Sequence, residues 1–437
     1  MNQPEIEWIR PAAERMIGDL VQPDRVHSRV YTDPGIFELE MARIFGRVWV
    51  YVGHASEIPN PGDYLVRRIG KTPVIFVHGR DGVLRVLLNR CRHRGAEVAE
   101  SEAGNARQFT CWYHGWSYDN TGKLIGVTQP GGYQDQGVDM ARMGLTEAPR
   151  FDSYRGFHFA SLAASGRPLM AELGATAASL DIVVEASPVG EVFVDAGQHK
   201  TAYRGNWKLV GMDGYHANYV HASVLATWER DPEAGIGSTH PDDPYSDTAL
   251  SRVRHLGDGH CTLDFYEQRR KHYDRQLQFL KRFAGGADYI EAMHRAYGDT
   301  RAQFLIATGG DPHVGIYPSL QIINNHIRII TPVTVDYTEV TMLPIRVGGM
   351  SDGLTAERLR QHESFYGPCG AGSPDDSEMF ERVQRGMQAE IDPWVDLSRG
   401  MRRERREANG STIGLITDEG TQRGQMQRWL ELMSAAS

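Results

Sequence analysis

Two cysteine–histidine pairs constrain this chain more than any other feature. Cys91 and His93 are followed, after seventeen residues, by Cys111 and His114, and both pairs lie where the pattern predicts turns between β-strands. A zinc finger places paired cysteines before paired histidines, which is a different order. Two thiolates on one iron and two imidazoles on another suit a two-iron cluster. Structural zinc, or four unrelated buried side chains, are the alternatives.

A second group of metal-capable side chains lies within a predicted helix over Asn206–Ala222. Asp213 and His216 are three residues apart and share a helix face, so the carboxylate can accept a hydrogen bond from the imidazole. His216 and His221 are about 140° apart on a regular helix, so both reach one ion only if the helix is distorted. With a carboxylate from elsewhere they would form the facial triad of a non-heme Fe(II) oxygenase. Ordinary core or surface histidines are the alternative.

Length and composition restrict the class of protein. With 437 residues, the chain can form two domains or one domain that carries a large insertion. Asp and Glu (56) outnumber Lys and Arg (47), so no overall positive field attracts nucleic acid or an anionic membrane. No apolar run approaches membrane-spanning length, and four cysteines suit a reducing compartment. We therefore expect a cytoplasmic protein that acts on small molecules or protein partners.

The hydrophobic periodicity predicts an α+β fold in three parts. Residues 1–40 mix helical stretches with turns, and Ile36–Phe45 has helical spacing. Residues 41–155 have the short strands and turns of a small antiparallel β domain. Residues 156–437 predict a larger domain in which helices surround an antiparallel sheet. The small domain is thus expected to be inserted into the larger one, whose N-terminal part is residues 1–40.

Within the larger part, Gly315–Pro332 and Tyr337–Val347 are predicted to be adjacent antiparallel strands. The loop Arg230–Asp247, rich in Pro, Asp and Gly, is expected to be mobile and to cover a site entrance. Further helices are expected over Glu267–Phe283, Thr355–Tyr366 and Asp376–Glu390.

These motifs resemble those of a known family. Cys91-x-His93 with Cys111-x2-His114-Gly-Trp-x-Tyr118 is similar to the binding motif of a Rieske [2Fe-2S] domain. With Asn206-Trp-Lys208 and Asp213-x2-His216-x4-His221 downstream, the chain resembles the catalytic α subunit of Rieske non-heme iron aromatic-ring-hydroxylating oxygenases. Both motifs in this order and at this distance are far more specific than either motif alone.

The resemblance implies a set of metal ligands. Cys91 and Cys111 would bind one iron of the cluster, and His93 and His114 the other. The implied ligands of the mononuclear Fe(II) are His216, His221 and Asp376, with Asp375 as the alternate. The acidic residue comes from the turn Gly367–Phe380, where a helix-capping carboxylate is the other interpretation.

The resemblance also implies how electrons arrive. Asp213 matches the aspartate that links a histidine of the mononuclear iron to a cluster histidine of the neighbouring subunit. The implied assembly is a homotrimer, possibly with a small β subunit (α3β3). No dinucleotide fingerprint follows a predicted strand, so electrons from NAD(P)H are expected through a separate ferredoxin, reductase or both.

The predicted reaction is O2 activation at the mononuclear iron, followed by hydroxylation or cis-dihydroxylation of an aromatic ring. The expected substrate is a benzoate- or hydroxybenzoate-type acid, and the polar run Ile322–His326 is expected to orient its polar substituent. The alternatives are a Rieske monooxygenase for N- or O-demethylation, an electron-transfer protein without the second iron, and a zinc-stabilised binding module. The expected pocket walls are Tyr317–Asn325, Met212, Tyr219 and Tyr366.

Two positions depart from the family pattern. Trp112 occupies a position where the family often has a smaller residue, so the surface at the cluster is expected to differ. The segment Leu209–Met212 lacks the Glu-Asn pair that the family commonly has before the aspartate, so the sequence gives no support for a role of an asparagine near the iron.

Overall fold

The chain forms two compact units in a computed structural model that describes residues 17–133, 137, 139–213, 249–370 and 372–435. One unit is the continuous stretch Phe45–Leu169. The other consists of the described parts of Met1–Ile44 and Met170–Ser437. The smaller unit is therefore an insertion in the sequence of the larger one.

The N-terminal segment of the larger unit contains short elements. They are β1 (Val21–Gln22), β2 (Arg25–His27), α1 (Arg29–Thr32) and α2 (Pro34–Glu40). Helix α2 begins where it does because Oδ1 of Asp33 accepts the amide protons of Gly35 and Ile36, and Pro34 fits the first turn. The sequence predicted one helix up to Phe45, but regular α-helix ends at Glu40 and a π-helical turn, Met41–Phe45, follows.

The smaller unit is built from antiparallel strands. They are β3 (Val50–His54), β4 (Asp63–Ile69), β5 (Thr72–His78), β6 (Leu84–Leu88), β7 (Ala103–Asn105), β8 (Gln108–Thr110), β9 (Ser117–Asp119), β10 (Leu124–Gly126), β11 (Arg150–Tyr154) and β12 (Phe157–Ser161). Within the described residues they pair as β6-β5-β4-β7, β10-β9-β8 and β11-β12-β3. The predicted small antiparallel β domain is confirmed.

The core of the smaller unit lies directly beneath the two cysteine–histidine turns. Its buried side chains come from neighbouring sheets and include both cysteines. They are Ile75, Val77, Leu87, Cys91, Val98, Ala99, Phe109, Cys111, Trp116, Tyr118 and Leu145. The turns therefore rest on a packed apolar layer that holds them in place.

The larger unit is a mixed structure. Its further helices are α3 (Leu169–Leu173), α4 (Ala177–Glu185), α5 (Trp207–Asp213), α6 (Tyr266–Lys271), α7 (Tyr273–Leu280), α8 (Gly286–Thr308), α9 (Asp352–Tyr366), α10 (Ser373–Gly386) and α11 (Gly420–Ser434). Its further strands are β13 (Val192–Phe193), β14 (His199–Tyr203), β15 (Arg252–Gly257), β16 (His260–Asp264), β17 (Val314–Ile316), β18 (Leu320–Ile323), β19 (His326–Thr334), β20 (Tyr337–Pro344), β21 (Arg346–Val347), β22 (Trp394–Asp396), β23 (Arg405–Arg406) and β24 (Thr412–Leu415).

The central sheet of this unit is antiparallel, and helices pack on it. In the described residues its order is β14-β20-β19-β18-β17-β16-β15-β24-β23. Helix α11 packs on β15 and β16, and Phe380 of α10 contacts the ring of Tyr203 in β14 at 5.1 Å. The predicted α+β fold, with an antiparallel sheet among helices, is confirmed. No helix in the described ranges combines the length and apolarity needed to cross a membrane.

Three details of the larger unit differ from the sequence predictions. The run Gly315–Pro332 is a meander of strands β17, β18 and β19, because it turns at Tyr317–Ser319 and at Asn324, whose φ is 56°. The predicted helix Glu267–Phe283 is split into α6 and α7 at His272. Helix α8 was not predicted, and Gly298 interrupts it with φ 71° and ψ 165°.

Candidate metal centres

The two cysteine–histidine turns of the smaller unit have the same backbone hydrogen bonds. The Cys91 amide donates to the carbonyl of Ala96 (2.7 Å), and the Cys111 amide donates to that of Trp116 (2.8 Å). In return, the amides of Gly95 and Gly115 donate to the carbonyls of Cys91 and Cys111, at 3.0 and 2.9 Å. Each cysteine thus begins a six-residue turn with the same hydrogen bonds, although the histidine position differs by one residue between the two turns.

Glycine is required in both turns. Gly95 and Gly115 have φ of 83° and 69°, a region that side chains disfavour. At Gly115 a Cβ would also lie 2.5 Å from Oγ1 of Thr128, which donates a hydrogen bond to the His114 carbonyl. The backbone at this turn therefore depends on glycine for its conformation and for its space.

The structure brings the two predicted cluster histidines close together and buries both predicted cysteines in the core of this unit. Cys91 and Cys111 are buried and outside any disulfide, and the rings of His93 and His114 are 4.6 Å apart. His93 stacks on Trp116 at 5.1 Å with an interplanar angle of 5°. Nδ1 of His93 is buried without a hydrogen-bond partner among the described residues. This donor set, with an unpaired imidazole nitrogen, fits a cluster held by two cysteines and two histidines.

The protonation chemistry also fits a metal centre. The pKa of the His114 imidazole lies below its usual value because of desolvation, and then because of nearby His93 and the Arg94 charge. A neutral imidazole is the form that binds metal. In the part of the chain that the structure describes, no group of three or more His, Cys, Asp or Glu side chains is placed to hold one metal ion.

Tyr118 is a neighbour of the cluster site whose role the sequence did not indicate. Its hydroxyl oxygen lies 3.2 Å from Sγ of Cys91 and accepts the amide proton of Arg92 at 3.0 Å. Burial, followed by the hydrogen bond with Cys91, raises the pKa of this phenol. The hydroxyl therefore keeps its proton and can donate it to the sulfur.

A buried asparagine fixes the first turn to the sheet. The side-chain amide of Asn89 donates to the carbonyl of Ala99 at 2.8 Å, and its oxygen accepts the amides of Val98 and Ala99 at 2.9 and 3.0 Å. Three hydrogen bonds from one fully buried side chain close the loop that contains Cys91 and His93.

The second turn exposes two large aromatic side chains. Trp112 is 84% exposed and Tyr113 is 61% exposed. The ring of Tyr113 contacts that of His114 at 3.7 Å. Trp112 thus adds apolar area to the surface beside the cluster site, as expected for the larger residue at this position.

The predicted ligands of the mononuclear iron are only partly within the described structure. Helix α5 ends at Asp213, while His216, His221 and the loop Arg230–Asp247 lie outside the described residues. Asp375 and Asp376 are both half-buried in the first turn of α10, where the helix dipole favours a carboxylate. The Asp376 amide donates to the carbonyl of Gly372 at 3.0 Å.

The motif Asn206-Trp-Lys208 anchors the start of α5. The Asn206 side chain donates to the carbonyls of Tyr31 (3.2 Å) and Val335 (2.9 Å), and its oxygen accepts the Lys208 amide at 3.2 Å. The Asn206 amide donates to Oε1 of Gln384 in α10 at 3.0 Å. One asparagine therefore ties the helix that leads to the predicted histidine ligands to the helix that carries Asp376.

The same motif surrounds a buried carboxylate that the sequence interpretation missed. Glu40 accepts hydrogen bonds from Nε1 of Trp207 (2.8 Å), Nε1 of Trp429 (2.6 Å) and Nζ of Lys208 (2.6 Å). Burial lowers the pKa of Lys208, and the charge and hydrogen bond of Glu40 oppose that shift. Glu40 lies four residues after Ile36 and four residues before Ile44. A glutamate within an apolar stripe of a predicted helix was the sequence feature that could have indicated a buried carboxylate.

The expected pocket walls are mostly buried. Tyr317, all of β18 and Asn325 are buried, and Tyr366 is half-buried with its ring 4.5 Å from that of His326. The side chain of Met212 and all of Tyr219 lie outside what the structure describes.

Comparisons with known proteins agree with these observations. A family model described as a Rieske [2Fe-2S] domain matches residues 48–138. The 2-halobenzoate 1,2-dioxygenase large subunit of Burkholderia cepacia is 34% identical over 420 residues, which cover 92% of this chain and 86% of that protein. The anthranilate 1,2-dioxygenase large subunit of Acinetobacter baylyi is 34% identical over 387 residues, which cover 86% of this chain and 80% of that protein.

Of two further similarities, one covers only part of the chain and the other concerns the fold. The N,N-dimethyl phenylurea N-demethylase subunit alpha of Sphingobium sp. is 39% identical over 204 residues, which cover 46% of this chain and 44% of that protein. A solved structure of naphthalene 1,2-dioxygenase with indole in its active site has a TM-score of 0.80 at 22% identity, covering 94% of this chain and 92% of that chain. At that identity the likeness concerns the fold.

The two cysteine–histidine turns, the fold and the similarity across most of two dioxygenase large subunits lead to one family. The chain belongs to the Rieske non-heme iron aromatic-ring-hydroxylating oxygenases, as a catalytic (α) subunit that uses a [2Fe-2S] cluster, a mononuclear iron and O2.

Proposed function

We propose that this oxygenase cis-dihydroxylates the ring of a benzoate-type aromatic acid. The observation that carries the proposal is its 34% identity, over most of both chains, to dioxygenase subunits named for 2-halobenzoate and anthranilate. Both names denote a benzene ring that bears a carboxylate. The substrate of this chain is therefore proposed to share that carboxylate.

We propose the following metal ligands. Cys91 and Cys111 hold one cluster iron, and His93 and His114 hold the other, supported by the hydrogen bonds that the two turns share and the 4.6 Å separation of the two rings. The mononuclear iron is held by His216, His221 and Asp376, with Asp375 as the alternate. When bound, the cluster supplies single electrons and the mononuclear iron supplies oxygen activation.

The protein's own residues position these groups. Glu40 and Asn206 fix the start of α5, so the backbone that leads to Asp213 is set by buried hydrogen bonds. The Tyr118 hydroxyl donates to the Cys91 sulfur and stabilises negative charge on it. Strand β18, one of the expected pocket walls, is buried along its whole length.

Electron delivery and assembly complete the proposal. Asp213 bridges a histidine ligand of the mononuclear iron and a cluster histidine of a neighbouring subunit. The active unit is a homotrimer, with a small β subunit as the further option, because the relatives are named as large subunits. A separate ferredoxin, reductase or both delivers the electrons, and cysteines that form no disulfide among the described residues suit the cytoplasm.

Oxidative demethylation is the second candidate function. It is favoured by the 39% identity to an N-demethylase subunit, a higher value than that of the dioxygenases. That similarity covers less than half of each chain, whereas the dioxygenase similarity covers most of both. We therefore rank ring dihydroxylation first.

The test combines product analysis with metal counting. The purified protein is supplied with a generic ferredoxin and reductase, NAD(P)H as the electron donor, ¹⁸O2 and benzoate. Ring dihydroxylation gives a cis-diol that contains two ¹⁸O atoms, and a product with one ¹⁸O indicates monohydroxylation. Formaldehyde released from an N,N-dimethyl phenylurea, with benzoate unchanged, would instead establish demethylation. The loaded protein should contain three irons for every two acid-labile sulfides, and two for two would refute the mononuclear site.

A further inference from the structure

A buried cation in the central sheet has no acidic partner in the described structure. Arg328 of β19 is 4% exposed. One guanidinium nitrogen lies 3.4 Å from Oε1 of Gln321, the residue opposite it on β18, and Nε has no hydrogen-bond partner. Across the described ranges, no carboxylate lies within ion-pair distance of this guanidinium. A buried charge without an oppositely charged partner lowers the stability of the folded protein.

The acidic residue near this region is already occupied. Asp311 forms an ion pair with Arg269 at 2.7 Å through one carboxylate oxygen. Its other oxygen accepts the amide protons of His313 (2.8 Å) and Asn324 (2.7 Å). Asp311 is thus committed to Arg269 and to the turn between β18 and β19, so Arg328 needs a different anion.

A second polar side chain on the same strand also lacks partners. His326 is two residues before Arg328, so the two share one face of β19. His326 is fully buried, and neither ring nitrogen has a hydrogen-bond partner among the described residues. Because burial and the adjacent Arg328 charge keep the pKa of this imidazole low, His326 is neutral and can donate one N–H.

The pair lies near described residues that precede, in the chain, the two segments proposed to hold the mononuclear iron. Gln321, which contacts Arg328, donates from Nε2 to the carbonyl of Val210 in α5, three residues before Asp213. The Arg328 guanidinium lies 5.7 Å from the ring of Tyr366, ten residues before Asp376. The contacts of Arg328 and Gln321 therefore reach Val210 and Tyr366, which lie three and ten residues before Asp213 and Asp376.

We propose that Arg328 and His326 bind the carboxylate of the aromatic acid substrate and so orient its ring. The inference rests on the proposed function and names the subsite that selects its substrate class. A guanidinium presents two parallel N–H groups that match a carboxylate, and the imidazole N–H supplies a third donor. An uncharged ring would leave the buried cation unpaired, so the subsite selects acids over neutral analogues.

The first test compares benzoate with benzamide, its neutral analogue of similar shape. We expect Arg328→Met to raise the KM for benzoate about 10- to 100-fold relative to that for benzamide. Arg328→Lys keeps the positive charge but loses the two parallel N–H groups of the guanidinium. This variant should therefore retain part of the wild-type preference for benzoate over benzamide. The matched control is Arg346→Met, which removes an arginine from an exposed ion pair with Asp195 and should behave like wild type. A benzoate preference that survives Arg328→Met would overturn the subsite.

The second test does not depend on turnover. Benzoate should raise the melting temperature of the wild-type protein and of Arg346→Met, but not that of Arg328→Met. Without ligand, Arg328→Met should melt at or above the wild-type temperature, because the substitution removes an unpaired buried charge. A markedly lower melting temperature would show a structural role for Arg328 and refute the proposal.

The outcomes separate the two proposals. A wild-type protein that binds neither benzoate nor any other ring carboxylate would refute both the acid substrate and the subsite. Benzoate binding that Arg328→Met leaves unchanged would refute the subsite alone.

Discussion

The ammonium group of Lys208 lies 2.6 Å from Oε1 of Glu40, and their side chains are 2% and 0% exposed. Two indole N–H groups, from Trp207 and Trp429, donate to the same carboxylate. The carboxylate therefore neutralises one buried charge and satisfies two buried donors at the start of the helix that leads to the predicted iron ligands.

Replacing this carboxylate should destabilise the larger unit. Glu40→Gln leaves the Lys208 ammonium buried without a counter-charge, so we expect a loss of about 3–5 kcal/mol in the free energy of unfolding. Urea denaturation followed by tryptophan fluorescence measures the change. Asp195→Asn, which breaks an exposed pair with Arg346, should cost no more than about 1 kcal/mol. Equal stability losses in the two variants would contradict the role assigned to Glu40.

The Tyr118 hydroxyl should set the redox potential of the cluster. In Tyr118→Phe the Cys91 sulfur loses its 3.2 Å hydrogen bond, so the reduced cluster is less stabilised and the potential falls. A spectroscopic redox titration of the visible bands gives the value. The matched control is Tyr113→Phe, which removes the hydroxyl of an exposed tyrosine in the second turn. An unchanged potential in Tyr118→Phe would argue against the hydrogen bond.

The second turn should not tolerate a side chain at its glycine. Gly115→Ala places a Cβ near Thr128 at a positive φ, so we expect little cluster to be incorporated. Acid-labile sulfide and visible absorbance per protein report the loading. Gly82→Ala separates the two causes, because Gly82 also has a positive φ but nothing within 4 Å of its Cβ. It should cost about 1–2 kcal/mol and keep the cluster.

The two carboxylates of α10 can be distinguished by metal analysis. Asp376→Asn should lower the iron content from three to two per two sulfides while the visible spectrum of the cluster stays unchanged. Asp375→Asn, which alters the adjacent residue of the same helical turn, should keep all three irons. The reverse result would move the ligand to Asp375.

Two buried histidines should make the smaller unit sensitive to acid. Burial lowers the pKa of both His54 and His158 from 6.5 to about 4. Between pH 4 and pH 6.5 the unfolded chain binds more protons at these histidines than the folded chain does. Their contribution to the free energy of unfolding is therefore fully present above pH 6.5 and is lost as the pH falls toward 4. Melting temperatures measured between pH 7.5 and 5 should fall. The decline should be smaller in His158→Phe, whose new ring can stack between Phe76 and Phe151. An equal decline would exclude His158 as a source.

Sequence and structure agree best where the signal is local. The cluster motif could be recognised because each cysteine and histidine lies within a few residues of the glycine that shapes its turn. Glu40 could not be assigned to Lys208, because 168 residues separate them and only folding brings them together. The polar residues at the end of β18 were expected to orient a substrate group, but the unpaired state of Arg328 is visible only in the assembled sheet.

The connectivity of the two units has a consequence for biosynthesis. The unit with the cluster motif is one continuous stretch, Phe45–Leu169, so all of its strands have emerged when residue 169 leaves the ribosome. Glu40 cannot accept its hydrogen bond from Trp429 until that residue has been synthesised, 389 residues later. Since domains generally fold as units during synthesis, the cluster-bearing unit can fold, and become competent to receive iron and sulfide, before the larger unit is complete.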